Sequence, residues 1–251
     1  MDDTPINNDT GTDSDELEMS FLDHLEELRW RVIYSLIGVV VGAILCWIFI
    51  DFLVDYVLLV PAKVNKIKLQ NLKPFGQLFL YMQIAIIGGV ILSLPNLFFQ
   101  LWKFISPALR KTERRYISAI VWFSTFCFLV GIVFAYYLMI PLSLSFAAQF
   151  GSTSIENNFA IDEYFSIITS IMLAAGVVFE LPMVSFFLSK LGILTPKFMR
   201  KFRRHALVVI LILSAILTPG TDPVSQIVLA VPLVLLYEIS IFVSKLSQKK
   251  S

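Results

Sequence analysis

The sequence predicts an all-α membrane protein in which six transmembrane helices, the last two short, form a kinked and concave bundle. Two observations lead to this prediction. Hydrophobic residues make up 57% of the 251 positions and charged residues only 16%, and the mean hydropathy is +0.78. A soluble domain is nearer half apolar and a quarter charged. One small core cannot hide so much apolar surface, so lipid must cover the rest.

Four apolar runs are long enough to cross a bilayer core of about 30 Å, which takes about 20 helical residues. These runs are residues 31–50, 76–98, 117–140 and 163–188. Two shorter runs, 206–218 and 224–243, flank the turn-forming string TPGTDP and predict a helical hairpin. Kinks are expected where proline removes a backbone donor, at Pro95, Pro141, Pro182 and Pro232.

The domain organisation follows from the polar segments at the two ends. We expect a disordered acidic tail at 1–18, because it cannot bury apolar surface, a six-helix domain at 19–245, and a basic tail at 246–251. Lysine and arginine crowd the links 103–115 and 190–204, whereas 141–162 has neither. The positive-inside rule therefore predicts that both termini are cytoplasmic. The first external loop disagrees, since it holds Lys63, Lys66, Lys68 and Lys73.

Glu180 is the most unusual residue of the apolar runs. It lies in the string AAGVVFELPMVSFF, with no other charge nearby. A carboxylate at the centre of a membrane helix costs roughly 2.5–3.5 kcal/mol on insertion scales. Two interpretations stay open: a neutral glutamate that bonds a neighbouring helix, or a functional polar contact or proton-sensitive site.

Two further carboxylates lie among basic residues at the expected cytoplasmic side. Glu27 belongs to FLDHLEELRWR and Glu113 to SPALRKTERR. An ordinary ion pair between Glu27 and Arg31, four residues apart on a helix, would explain the first. A first-turn glutamate behind a Thr112 cap would explain the second.

The sequence offers no sign of enzymatic chemistry, so we expect no catalytic residues, no cofactor and no metal. There is no phosphate-binding glycine loop, nucleophile elbow, HExxH or CxxC motif. Cys46 and Cys127 lie inside apolar runs and read as small hydrophobic residues. The net charge of +1 gives no indication of a nucleic-acid partner.

Several strings together resemble one known family. In chain order they are FLDHLEELRWR, SLPNLFFQLWKFISPALRKTERR, GIVFAYYLMIPLSLSF, GVVFELPMV and LTPGTDPVSQIVLAVPLVLLYEI. They resemble the TatC family, the large polytopic subunit of the twin-arginine protein translocase, over residues 20 to 243. The resemblance implies a receptor for signal peptides with paired arginines. It also implies a core subunit that helps to move folded proteins across the cytoplasmic (inner) membrane, driven by the proton gradient.

The resemblance also assigns residues and partners. It implies that Glu27, Glu113 and Pro107 belong to the signal-peptide-binding surface. Arg29 would hold a carboxylate in place, and Phe104 would form the apolar wall beside the site. Guanidinium forks pair with carboxylates more strongly than lysines do. The residues with implied intramembrane polar or partner contacts are Glu180, Gln100 and Tyr136, and Asp222 lies in the last external turn. The implied partners are the single-span A-type and B-type Tat subunits, membrane lipid and further copies of the chain in a multimeric complex.

Two alternatives belong to other functional classes. One is a proton- or cation-coupled small-solute transporter with Glu180 as the ion site, which would need a solute pathway and usually repeat symmetry. The sequence shows neither. The other is a structural scaffold for single-span partners.

Overall fold

The computed structural model describes residues 12–106, 117–149, 158–190, 192–217 and 223–248, most of them helical. In chain order the elements are α1 Thr12–Ile48, α2 Ile50–Phe52, a π-helical segment Leu53–Leu58, α3 Val60–Val64, β1 Lys68–Gln70, α4 Gly76–Leu92, α5 Leu94–Ile105, α6 Ile117–Phe134, a second π-helical segment Ala135–Met139, α7 Ile140–Gln149, β2 Asn158–Ala160, α8 Ile161–Phe179, α9 Leu181–Lys190, α10 Pro196–Lys201, α11 Arg203–Leu217 and α12 Pro223–Gln248.

The four long apolar runs predicted as spans all form helices. Three helical stretches of the described chain are long and apolar enough to cross a membrane, and α4 and α5, which meet at a bend of 55°, pass the same test as a pair. Helix α11 has 15 residues and so reaches only about 22 Å. It packs against α12, and this short hairpin is consistent with six helices in the membrane.

Three of the four prolines coincide with the predicted interruptions. Pro95 follows the bend between α4 and α5, and Pro182 follows the break between α8 and α9. Pro141 lies two residues after the π-helical segment that ends at Met139. Because proline has no N–H, the helical ladder loses a bond at each of these places. Pro232, by contrast, lies inside the uninterrupted helix α12.

Helix α1 is longer than its apolar run. It begins at Thr12 and so includes the last part of the acidic stretch for which we expected disorder. Acidic residues favour the first turns of a helix because they offset its dipole, and extending an existing long helix is easier than nucleating a new one. Residues 1–11 lie outside the described chain.

Close backbone contacts join the helices. Gly42 of α1 packs directly on Gly89 of α4, where an added Cβ would lie 2.7 Å from the Gly89 carbonyl oxygen. Gly131 of α6 meets α8 in the same way, with an added Cβ 2.7 Å from the carbonyl oxygen of Ala175. Small residues allow helices in lipid to approach closely. The main core, with Phe165, Ile168 and Ile140 fully buried, lies along these contacts.

A small cap closes the end of the bundle opposite the basic links. We define the cap as residues 50–64, from α2 through α3. Tyr136 donates a hydrogen bond to the carbonyl of Val57, and Tyr164 donates to that of Leu58. Next to the cap, β1 pairs in parallel with β2, with Leu69 opposite Phe159. Three-residue strands so far apart in the chain leave no periodic signal, so no sequence pattern indicates them.

An ion pair joins the segment after β1 to the first turn of α8. The ammonium group of Lys73 donates a hydrogen bond to the carboxylate of Asp162. This bond, followed by the attraction of the Asp162 charge, raises the pKa of Lys73 above its usual value. Lys73 is one of the four lysines that disagree with the predicted orientation. Its charge is balanced by the carboxylate of Asp162.

Candidate functional site

The candidate recognition site lies at the end of the bundle that carries the basic links, which we call the basic end. Glu27 projects from α1, and its carboxylate oxygen Oε1 accepts a hydrogen bond from Nη2 of Arg31 at 2.5 Å. The Glu27 side chain is 34% exposed and that of Arg31 only 15%. The ordinary helix-surface pair expected between them is therefore present, with the arginine mostly covered and the carboxylate half open.

A chain of polar side chains holds Arg31 against α5. Nη1 of Arg31 donates to Oε1 of Gln100 at 3.3 Å, and Nε2 of Gln100 donates to Oδ1 of Asn96 at 3.4 Å. Asn96 in turn donates to the backbone carbonyl of Tyr34 at 3.1 Å. Asn96 and Gln100 lie four residues apart and so share one face of α5. The network ties the start of α1 to the second half of the bent span.

The second oxygen of Glu27 lies beside an aromatic pair. The ring of His24 stacks on Phe104 with centroids 4.4 Å apart and an interplanar angle of 17°. Nδ1 of His24 is 4.0 Å from Oε2 of Glu27. His24, a residue of the FLDHLEELRWR string, thus lies between Phe104 and the carboxylate of Glu27.

Arg29 is not the residue that pairs with Glu27. Its side chain is exposed, and in the described part of the chain the guanidinium that holds Glu27 belongs to Arg31. The reason is helical geometry, because residues two apart point to different sides whereas residues four apart share a face. Glu113, Pro107 and Asp222 lie outside the described residues.

Glu180 lies at a helix break and not at a helix centre. It separates α8 from α9, and its N–H bonds the carbonyl of Val177 at 3.1 Å in one tightened turn. Pro182 explains the break, because it cannot donate to the carbonyl four residues earlier. The Glu180 carboxylate accepts a hydrogen bond from the buried hydroxyl of Ser124 on α6. Its other oxygen, Oε1, is buried with no partner among the described residues.

Gln100 and Tyr136, grouped with Glu180 by resemblance, have separate partners. Gln100 belongs to the Arg31 network, and the Tyr136 hydroxyl donates to the Val57 carbonyl at 2.7 Å. No contact that the structure describes joins either residue to Glu180. The three residues therefore serve three places: the basic end, the cap and the helix break.

Other polar groups fix the last helices. Arg203 pairs with Glu238 at 2.7 Å, so the carboxylate within the apolar run 224–243 has a partner of opposite charge. The hydroxyls of Ser189 and Ser244 lie 2.5 Å apart between α9 and α12. Within the described residues, no group of histidine, cysteine, aspartate or glutamate side chains is arranged to hold a metal ion.

Comparison with known proteins decides the family. The model of the family described as Sec-independent protein translocase protein (TatC) matches residues 23–232. The chain belongs to the TatC family. A protein of that name from Carboxydothermus hydrogenoformans is 37% identical over 92% of this chain and 95% of its own length. Another, from Blattabacterium sp. subsp. Periplaneta americana, is 34% identical over 93% and 97%.

Solved structures agree with this membership. A crystal structure of the twin arginine translocase receptor TatC superposes with a TM-score of 0.76 and is 34% identical, covering 90% of this chain and 99% of that one. A second structure of the receptor, in the detergent DDM, gives the same TM-score over 87% and 98%. The resemblance to the TatC family is thus confirmed, and nothing in the comparisons supports the small-solute transporter alternative.

Proposed function

We propose that this TatC family member is the receptor for twin-arginine signal peptides and the core subunit of a translocase that moves folded proteins across the cytoplasmic membrane, driven by the proton gradient. The central observation is the half-open carboxylate of Glu27, with one oxygen directed toward the His24–Phe104 stack. Family membership and the solved receptor structure support this function. No covalent chemistry is required of the chain.

The site suits a guanidinium ligand. A peptide arginine could donate to Oε2 of Glu27 while its planar group lies against the stacked rings of His24 and Phe104. Arginine stacks on aromatic faces and forks onto carboxylates, whereas lysine offers a compact, strongly hydrated charge. Glu113 and Pro107 complete the proposed surface by resemblance, and Arg29 contributes an exposed charge at its edge.

Orientation follows from the basic links. We infer that the basic end and both termini face the cytoplasm, because the positive-inside rule places lysine and arginine there. Signal peptides would then reach Glu27 before the cargo crosses. The cap, the strands β1 and β2 and the turn that contains Asp222 would face the opposite side.

Glu180 supplies a second contact, within the membrane. Its buried Oε1 has no partner among the described residues, and a buried acceptor without a donor is costly. Glu180 as a whole is only partly buried, and we propose that a polar side chain of a single-span A-type or B-type Tat subunit donates to its carboxylate. Copies of the chain would then assemble with these partners into a multimeric complex.

Peptide binding tests the receptor function. We expect a peptide with paired arginines to bind the purified chain in lipid nanodiscs, and Glu27→Ala with Glu113→Ala to weaken binding at least about tenfold, the scale of a lost charged contact. Glu26→Ala is the matched control, since it removes the neighbouring exposed carboxylate from the same helix. If the double variant binds the peptide as tightly as the unaltered protein, the assigned site is wrong.

A further inference from the structure

Arg31 already bonds one oxygen of the carboxylate that the proposed ligand needs. Its Nη2 lies 2.5 Å from Oε1 of Glu27, closer than any other cation described near that group. The carboxylate of the proposed site is therefore already paired with an arginine of the same chain. A guanidinium that arrives from a peptide meets a carboxylate whose charge is largely balanced.

We propose that Arg31 competes with peptide arginine for Glu27 and keeps the affinity of this single contact low. The inference rests on the receptor function proposed above. Because Glu27 alone then binds a guanidinium weakly, a peptide needs a second arginine and a second acceptor to be held. Arg31 would thus help the receptor to ignore segments with one isolated positive charge.

The geometry gives Arg31 a place to stay when the peptide binds. Its Nη1 bonds Gln100, which is itself bonded to Asn96. Arg31 can therefore release Glu27 while α5 still holds one end of the guanidinium. Its side chain is 15% exposed, so it is not free to swing into water.

The expected effect of removing Arg31 is a gain in affinity. A helix pair four residues apart is worth little when exposed, but the partial cover of Arg31 strengthens the attraction. Loss of this competitor should raise affinity roughly threefold to tenfold. Greater freedom of the Glu27 side chain offsets part of the gain, and the lower bound includes that offset.

The experiment measures binding of two synthetic peptides, one with paired arginines and one with a single arginine, to the full chain in nanodiscs. We expect Arg31→Met to bind both peptides at least about threefold more tightly than the unaltered protein. Arg31→Lys keeps the charge and should stay within about twofold of it. In a Glu27→Gln background, Arg31→Met should produce no gain, because the competed acceptor is gone.

Gln100→Glu provides a second variant that retains Arg31. A carboxylate 3.3 Å from Nη1 would draw the guanidinium away from Glu27, so peptide affinity should again rise. Folding of each variant is checked by thermal unfolding. We expect Arg31→Met to remain folded. Nε of Arg31 is buried without a partner among the described residues, and methionine removes that unsatisfied donor.

The outcomes separate this inference from the proposed function. If Glu27→Gln weakens binding but Arg31→Met is neutral or weakens it too, the competitor role is wrong and the receptor function stands. If Glu27→Gln leaves binding of the paired-arginine peptide unchanged, the recognition site itself is wrong. If Arg31→Met also raises peptide affinity in the Glu27→Gln background, the competitor role is wrong as well.

Discussion

The phenolic oxygen of Tyr164 lies 2.8 Å from the carbonyl oxygen of Leu58, a residue 106 positions earlier in the chain. The same oxygen accepts the amide N–H of Ala62 at 3.1 Å. Leu58 ends a π-helical segment and Ala62 lies in α3, where irregular winding leaves backbone groups without helical partners. One hydroxyl from α8 therefore satisfies a donor and an acceptor of the cap.

Tyr164→Phe should destabilise the chain by about 1–3 kcal/mol, because it leaves two buried backbone groups without their partner while the ring still fills its space. Thermal unfolding in one detergent measures the change. Tyr56→Phe is the control, since Tyr56 is 70% exposed and should alter stability by less than about 0.5 kcal/mol. Equal effects of the two changes would contradict the role given to Tyr164.

Lys73→Met should change stability only slightly, because exposed ion pairs contribute little. The pKa of Lys73 is raised by Asp162 from 10.5, so the contribution of the pair is fully present below the unfolded pKa and is lost only as pH rises through the higher folded pKa. Unfolding temperatures of the two proteins should therefore differ by a constant amount from pH 6 to pH 9. A difference that disappears within this window would show that another group controls the contact.

Gly42→Ala should separate α1 from α4, because its Cβ would lie 2.7 Å from the Gly89 carbonyl oxygen. Overpacking of this kind costs about 1–3 kcal/mol. Chemical unfolding provides the measurement, with Val41→Ala as the control. Val41 is adjacent in sequence and 52% exposed, so its change should cost much less. A neutral Gly42→Ala would mean that the two helices can move apart freely.

Glu180→Ala should impair cargo transport more than folding. The carboxylate has one bond to Ser124 and one buried oxygen without a partner among the described residues. Removing it should therefore lower stability little, but the proposed partner loses its hydrogen-bond acceptor. Transport into inverted membrane vesicles and thermal unfolding are measured on the same preparations. Full transport with this variant would refute the partner contact.

Ser124→Ala is the matched control for Glu180. It removes the hydroxyl that donates to the carboxylate but keeps the acceptor. We expect transport to fall less than with Glu180→Ala, because the partner can still bind. If Ser124→Ala alone abolished transport, the internal bond and not the partner contact would be the important one.

The sequence predicted what depends on long apolar runs and on proline. The four spans, the hairpin and the break near Pro182 follow from length, hydropathy and a missing N–H. The network of Arg31, Gln100 and Asn96 could not be predicted, because it joins α1 to α5 and depends on how those helices pack. The pairing of Glu27 with Arg31 could be predicted from their four-residue spacing. The family motif pointed to Arg29 instead.

The 15 residues of α11 have a consequence for biogenesis. An isolated helix of about 22 Å is too short to be threaded alone through a hydrocarbon layer of about 30 Å. Gln226 of α12 donates to the carbonyl of Leu211 in α11 at 3.0 Å, a bond that exists only when both helices are present. We expect α11 and α12 to leave the insertion machinery together, so truncation after α11 should leave that helix in the aqueous phase.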